Sequence, residues 1–199
     1  MNLPLNLILV LLALTIDSYV FSQEVLKYHV VKGGQSVGYM QTTRHRQGTY
    51  TRYTLDYQLE IRFLIKISLS FAFECKYKNN RLISASSRMS RDGKLREVSN
   101  IYWNGSQYYL TQNGKTRSIE DPIQNYSTII MHFHEPKGRN RIFSERFGQL
   151  LSIKALEDKY YEMTLASGNK NYYTYKNGVC DLMTITHPMG NISFKRISD

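Results

Sequence analysis

The stretch YTLDYQLEIRFLIKISLSFAFECKY, Tyr53 to Tyr77, decides the fold. Every odd position in it is apolar or aromatic, from Tyr53, Leu55 and Tyr57 through Phe71, Phe73, Cys75 and Tyr77. The even positions carry Thr54, Asp56, Gln58, Glu60, Arg62, Lys66, Ser68, Ser70, Glu74 and Lys76. A period of two puts one oily and one wet face on extended backbone, so the stretch is a half-buried strand or strands. At roughly 3.3 Å per residue it would span on the order of 80 Å, too long for one straight strand in a small domain. The expected break is Arg62 to Lys66, where Leu64 sets a large apolar side chain on the wet parity. A two-residue hairpin would swap the inward parity and an odd loop would keep it. The expectation is therefore two long strands joined by an odd loop, or one strongly coiled strand.

Outward from this run, turn signals recur at short intervals. Gly33-Gly34, Arg46-Gln47-Gly48, Lys78-Asn79-Asn80, Asp92-Gly93, Asn104-Gly105 and Asn113-Gly114 separate strand-like segments. So do Gly168-Asn169 and Asn177-Gly178 on the C-terminal side. Asn, Asp and Gly tolerate positive φ, so this spacing indicates an antiparallel meander. The rhythm changes between Asp121 and Gly148. Asp121 with Pro122 is a helix-start signal, and Ile123, Tyr126, Ile130 and Phe133 recur at helical spacing, giving one expected helix that ends at Pro136. Arg139 to Phe147 is expected to be an ordered loop. The fold class is mainly β: a single curved antiparallel meander sheet, half-barrel or open barrel, with one short helix and loop as a plug.

The chain has 199 residues, enough for one domain with its own core. Leu5 to Leu14 is an almost continuous aliphatic run, followed by Asp17-Ser18 and by Val20-Phe21-Ser22. This is the layout of a signal peptide over residues 1–22, leaving residues 23–199 as a single β-rich domain, exported and periplasmic, outer-membrane-associated or secreted. The run is too short for an ordinary span, so no transmembrane segment is expected in the mature chain. The formal net charge is +10, and the leader holds one acid, Asp17, and no base. A basic balance favours anionic partners such as an envelope polymer or lipopolysaccharide. The basic residues are nevertheless spread along wet strand faces, with only a loose cluster at Lys137, Arg139, Arg141 and Arg146. Sixteen tyrosines could stack on single-stranded nucleic acid, but strand propensity accounts for them, and an exported protein is not expected to meet nucleic acid.

Export permits a disulfide between Cys75 and Cys180. Two small buried hydrophobes is the other reading, and the sequence leaves both open. His132-Phe133-His134-Glu135 is the one cluster with metal-ligand character, but it lacks a further His or Cys nearby and no metal or cofactor is expected. The chain has no HExxH, Walker or dinucleotide motif, so no catalytic residue is named, and an enzyme whose cleft the chain order does not reveal is the third reading, behind a ligand-binding and a polyanion-binding protein. Ser144-Glu145-Arg146 is unspecific.

Tyr28-x-Val30 with Gly34 and Val37-Gly38, His134-Glu135-Pro136-Lys137-Gly138, Phe143-Ser144-Glu145, and Tyr173-Thr174-Tyr175-Lys176-Asn177-Gly178 follow one another in the mature chain. In that order they resemble an uncharacterised family of secreted β-rich proteins of unknown function from bacteria with an outer membrane. The layout also looks like the half-barrel of periplasmic lipoprotein-localisation carriers, in which a curved sheet is plugged over an apolar concavity. That resemblance implies a lipid, acyl chain or other hydrophobic ligand inside. The expected liners are Ile65, Ile67, Leu69, Phe71 and Phe73 from the long run, with Ile130 and Phe133 from the plug. The other reading of the same residues is plain core.

Overall fold

In the computed structural model, which describes residues 21–62, 66–120, 125–188 and 190–198, the odd-parity run is two strands. They are β3, Tyr50–Arg62, and β4, Lys66–Lys78, and their ladder extends to Arg62 opposite Lys66. Three residues therefore connect them, an odd loop, and odd faces odd: Leu55 stands opposite Phe73 and Tyr53 opposite Cys75. All four of these side chains are buried, while Arg52, Asp56, Lys76 and Lys78 on the other parity are exposed. The expected break residue, Leu64, and the expected liner Ile65 lie outside the described residues.

The other strands before the plug are β1 Phe21–Lys32, β2 Gln35–Gln47, β5 Arg81–Arg91, β6 Lys94–Trp103, β7 Tyr108–Gln112 and β8 Lys115–Ile119. After it come β9 Arg141–Ser144, β10 Gln149–Glu157, β11 Tyr160–Thr164, β12 Lys170–Lys176, β13 Val179–Ile185 and β14 Ile192–Arg196. All fourteen form one antiparallel sheet in the order β8-β7-β6-β5-β4-β3-β2-β1-β14-β13-β12-β11-β10-β9. Two meanders are thus joined where β1 pairs with β14, Tyr28 opposite Arg196. Several hairpins hold two positive-φ residues, among them Asn79-Asn80, Asp92-Gly93, Asn113-Gly114 and Asn177-Gly178, the turn whose twist matches paired strands. Register shifts at Val30, Lys76, Met89, Ala155 and Thr174 add local twist and bend the sheet. At Gly38 the bend brings strands so close that a Cβ would lie 2.0 Å from the Gln58 carbonyl oxygen.

The sheet does not close by ladder hydrogen bonds; β8 and β9 are its two edges. Side chains seam them instead. Arg117 donates to the carbonyls of Phe147 (3.1 Å) and Gly148 (3.3 Å). The Arg146 guanidinium grips Glu97 with two bonds of 2.7 Å, and Ser99 donates to the Arg146 carbonyl. Gly148 rests on Leu110, whose Cδ2 would stand 2.9 Å from an added Cβ.

The chain between β8 and β9 crosses from one edge to the other through the interior, and here the expectation of a helix is corrected. From Asn125 onward the described backbone has no α-helix, only one 3-10 turn at Ile130–His132. Asp121, Pro122 and Ile123 fall outside the described residues. The helical spacing misleads because Ile129, Ile130, Met131, His132 and Phe133 are all buried in succession. A segment enclosed on every side needs no single apolar face. The expected loop 139–147 is also corrected in part: Arg141–Ser144 is the edge strand β9, whose Phe143 pairs in parallel with Ser127 of the crossing segment.

Irregular backbone buried in a protein needs hydrogen-bond partners, and tyrosines of the sheet and of the segment itself, with one acid, supply them. Tyr175 donates to the Met131 carbonyl (2.9 Å) and Tyr126 to that of His134. Strand propensity alone therefore does not account for the tyrosines: several anchor interior backbone.

Candidate ligand cavity

Between the crossing segment and the inner face lies a cavity of about 220 Å³. Phe71 and Phe73 of β4 form one wall, Leu151 and Met163 of β10 and β11 another, and Ile129 closes it from the crossing segment. The alternation of the long run places Phe71 and Phe73 on one side of β4, with ring planes 4° apart and centroids at 6.5 Å. Phe71, Arg146, Leu165 and Ile185 on its lining are only partly buried.

The other expected liners are dispersed. Leu69 lines a different, open hollow of about 820 Å³ near Gly38, where Val37, Met40, Tyr57 and Leu59 are mixed with Gln41, Asp56, Gln58 and Glu60. Ile67 is half-buried opposite Ile61 at the strand end. Ile130 and Phe133 are buried core rather than cavity wall, and Phe133 packs on Tyr53 at 5.5 Å under the Arg44 guanidinium.

The polar groups around the cavity were not legible in the sequence. Glu145 is 2% exposed and accepts from Ser127 Oγ, Thr128 Oγ1 (2.5 Å) and the Ile129 amide (3.4 Å). Ser127 also bonds the Tyr77 hydroxyl at 2.6 Å. Burial pushes the Glu145 carboxyl up, against the lowering pull of these donors. Its neighbour Arg146 lies 5.8 Å from the Phe71 ring centroid and 5.0 Å from that of Phe147 while paired to Glu97. The Glu97 hydrogen bonds hold this guanidinium's pKa up, and Arg146 in turn holds the Glu97 carboxyl down.

His132 and Asn171 also line the cavity, 5% and 7% exposed. Burial lowers the His132 imidazole to about 4, so it is neutral near pH 7. Its ring meets Tyr28 edge-on at 5.9 Å. Neither His132 Nδ1 nor Asn171 Oδ1 has a hydrogen-bond partner. His132 is thus a buried, neutral member of the 132–135 cluster. The cluster also diverges: His134 contacts Arg44 (2.5 Å), and Glu135 accepts from Tyr161 (2.8 Å). No group of three or more His, Cys, Asp or Glu poised to hold a metal occurs among the described residues.

Cys75 and Cys180 are free and fully buried, so in this structure the disulfide reading gives way to that of two small hydrophobes. Burial raises the Cys75 thiol well above its usual range, with Glu145 and Glu74 adding to it, and pushes Cys180 up to about 12. Buried thiols of this kind are unreactive. On the wet face Arg52 and Lys76 share Glu74, and Lys154 and Lys170 share Glu162. These pairs, whose cationic ends are exposed, offset part of the basic surface. No helix among the described residues is long and apolar enough to cross a membrane.

Residues 28–197 match the model of a domain of unknown function, DUF6134. The chain belongs to that family. Among solved structures the DUF6134 chain is similar to a β-barrel-like protein of domain of unknown function DUF1849 from Brucella abortus. The TM-score is 0.53 at 10% identity, over 90% of this chain and 97% of that one, which establishes a shared β-barrel-like fold and nothing about activity. A search of curated proteins returned no match for the DUF6134 chain.

Proposed function

We propose that this protein is an exported binding protein that takes a small hydrophobic ligand, a short acyl chain or a single ring, into its bent sheet. The observation that carries this is the cavity of about 220 Å³ walled by Phe71, Phe73, Leu151, Met163 and Ile129. Apolar side chains that line space no protein atom fills forfeit dispersion contacts, which a ligand restores. The volume exceeds the roughly 150 Å³ that accommodates benzene and falls below the ~300–1,000 Å³ usual for drug-sized ligands. A single chain or ring is the size of ligand that this volume suits. Export rests on the aliphatic run Leu5–Leu14 and the small residues ahead of Gln23.

Native mass spectrometry of protein purified gently from its own cells tests the reading. The expected result is a bound species of low mass that solvent extraction removes. Protein that carries no adduct and takes up no added toluene or short-chain alcohol contradicts it.

A further inference from the structure

Burial of the inner face fades toward one end of the sheet. At that end Arg62 faces Lys66, Arg91 faces Lys94 and Ile185 faces Ile192. Along β4 the inward side chains Tyr77, Cys75 and Phe73 are buried, whereas Phe71, Leu69 and Ile67 are only half-buried. The same step runs from Met163 to Leu165 and from Phe194 to Ile192. The crossing segment accounts for it, because it packs on Tyr53, Tyr77 and Tyr175 nearer the opposite strand ends. The half-buried apolar liners Phe71, Leu165 and Ile185 lie toward the less covered end, so the cavity of about 220 Å³ opens that way.

This end is also positive. Arg62, Lys66, Arg91, Lys94 and Arg96 are exposed there, against the acids Glu60 and Asp92. Lys66 pairs with Glu60 at 2.6 Å and Arg91 with Asp92 at 3.5 Å, so Arg62, Lys94 and Arg96 supply the excess. Between the last two, Leu95 is 58% exposed, a large apolar side chain held in water and flanked by cations. Charge alone does not single out this end, since Lys78 and Arg81 are exposed at the other. There, however, the inner face is filled.

Resting on the proposed binding role, we infer that the Arg62–Lys94 end docks on an anionic phospholipid bilayer and that the cavity exchanges its ligand with that bilayer. Leu95, Leu69 and Ile192 meet the acyl boundary while the cations meet phosphates, the division found in surfaces that lie in the membrane interface. An apolar ligand prefers a bilayer to water, so a cavity opening at the bilayer spares it passage through water.

Flotation of the mature chain, residues 23–199, with lipid vesicles tests this; without the apolar leader, adsorption reports the folded surface. Vesicles of phosphatidylcholine mixed with phosphatidylglycerol should bind the chain, phosphatidylcholine alone far less, and added salt should weaken binding. Arg62→Gln and Lys94→Gln should each weaken it about fivefold, and Lys78→Gln and Arg81→Gln should leave it nearly unchanged. Leu95→Ser should weaken it too, with no change in the thermal melt. Equal losses from the two pairs of cations would mean adsorption by basic charge at large and overturn the inference. So would failure to bind either vesicle, or a dimer dissociated by Leu95→Ser, in which a second copy covers this end. Each leaves the small-ligand reading standing, because toluene uptake is measured with no bilayer present. Adsorption as expected without toluene uptake supports the docking and overturns the exchange together with the ligand reading.

Discussion

At the residue scale, two buried titratable groups make stability depend on pH in opposite senses. The His132 pKa falls from 6.5 to about 4 on folding, so the unfolded chain binds its proton more readily. The stability this group contributes is fully present above pH 6.5 and is lost as pH falls toward 4, roughly 3 kcal/mol in all. His132→Phe should flatten that part of the curve, read from urea denaturation at pH 4 to 7; an unchanged acid limb would contradict the burial of the imidazole. Glu145 behaves oppositely, because its folded pKa is raised from 4.5. Its folded form holds the proton longer, so stability falls as pH rises from about 4.5 through the raised value. Glu145→Gln keeps an acceptor for Ser127 or Thr128 and should gain on the wild type over that interval. Equal curves for the two proteins would mean that Glu145 is solvated. None of this was visible in Ser144-Glu145-Arg146, because burial of one charge and pairing of the next are set by Ser127, Thr128 and Glu97, distant in sequence.

Elements divide by how much of their environment is written locally. β3 and β4 were legible because one face is dry and the other wet, and the odd loop follows from the unbroken parity. Asp92-Gly93 and Asn113-Gly114 were legible because positive φ restricts composition. β8 was not, since Lys115 to Ser118 are all exposed at a sheet edge and show no alternation. The crossing segment was misread as a helix because enclosure erases the single-face signal. Its anchoring gives a direct check: Tyr175→Phe removes the donor to the Met131 carbonyl and should cost about 1–3 kcal/mol. Tyr39→Phe, at a ring 61% exposed, should stay within about 0.5 kcal/mol. Equal effects in thermal melts would argue against an interior tyrosine anchor. Gly38→Ala drives a Cβ into the Gln58 carbonyl and should destabilise by more than about 3 kcal/mol. A melt within a few degrees of wild type would show that β2 and β3 are less tightly coiled there.

For the whole molecule, the physical necessity is a way to bury one face of a long antiparallel ribbon without closing its ladder. The N- and C-terminal strands pair at the centre, and the chain's middle crosses the interior from edge to edge. Arg117, Arg146 and the turn at Gly148 seam the open side. The half-barrel outline was legible from the meander and the apolar parity. The volume left under the crossing segment was not, since it is the small residual of many side chains packed from both ends of the sequence. Arg117→Ala should leave the fold intact but speed amide exchange in β8 and β9 relative to β3, by local opening of the two edges. Uniform exchange across the sheet would mean that the seam carries no local stability.

The central claim, a largely apolar pocket between β4 and the crossing segment, is tested most directly by diffraction from a crystal held under xenon pressure. Xenon density bounded by Phe71, Phe73, Leu151 and Met163, with the protein otherwise unmoved, is the predicted result. A well-ordered structure in which those side chains touch one another and no xenon enters would contradict it.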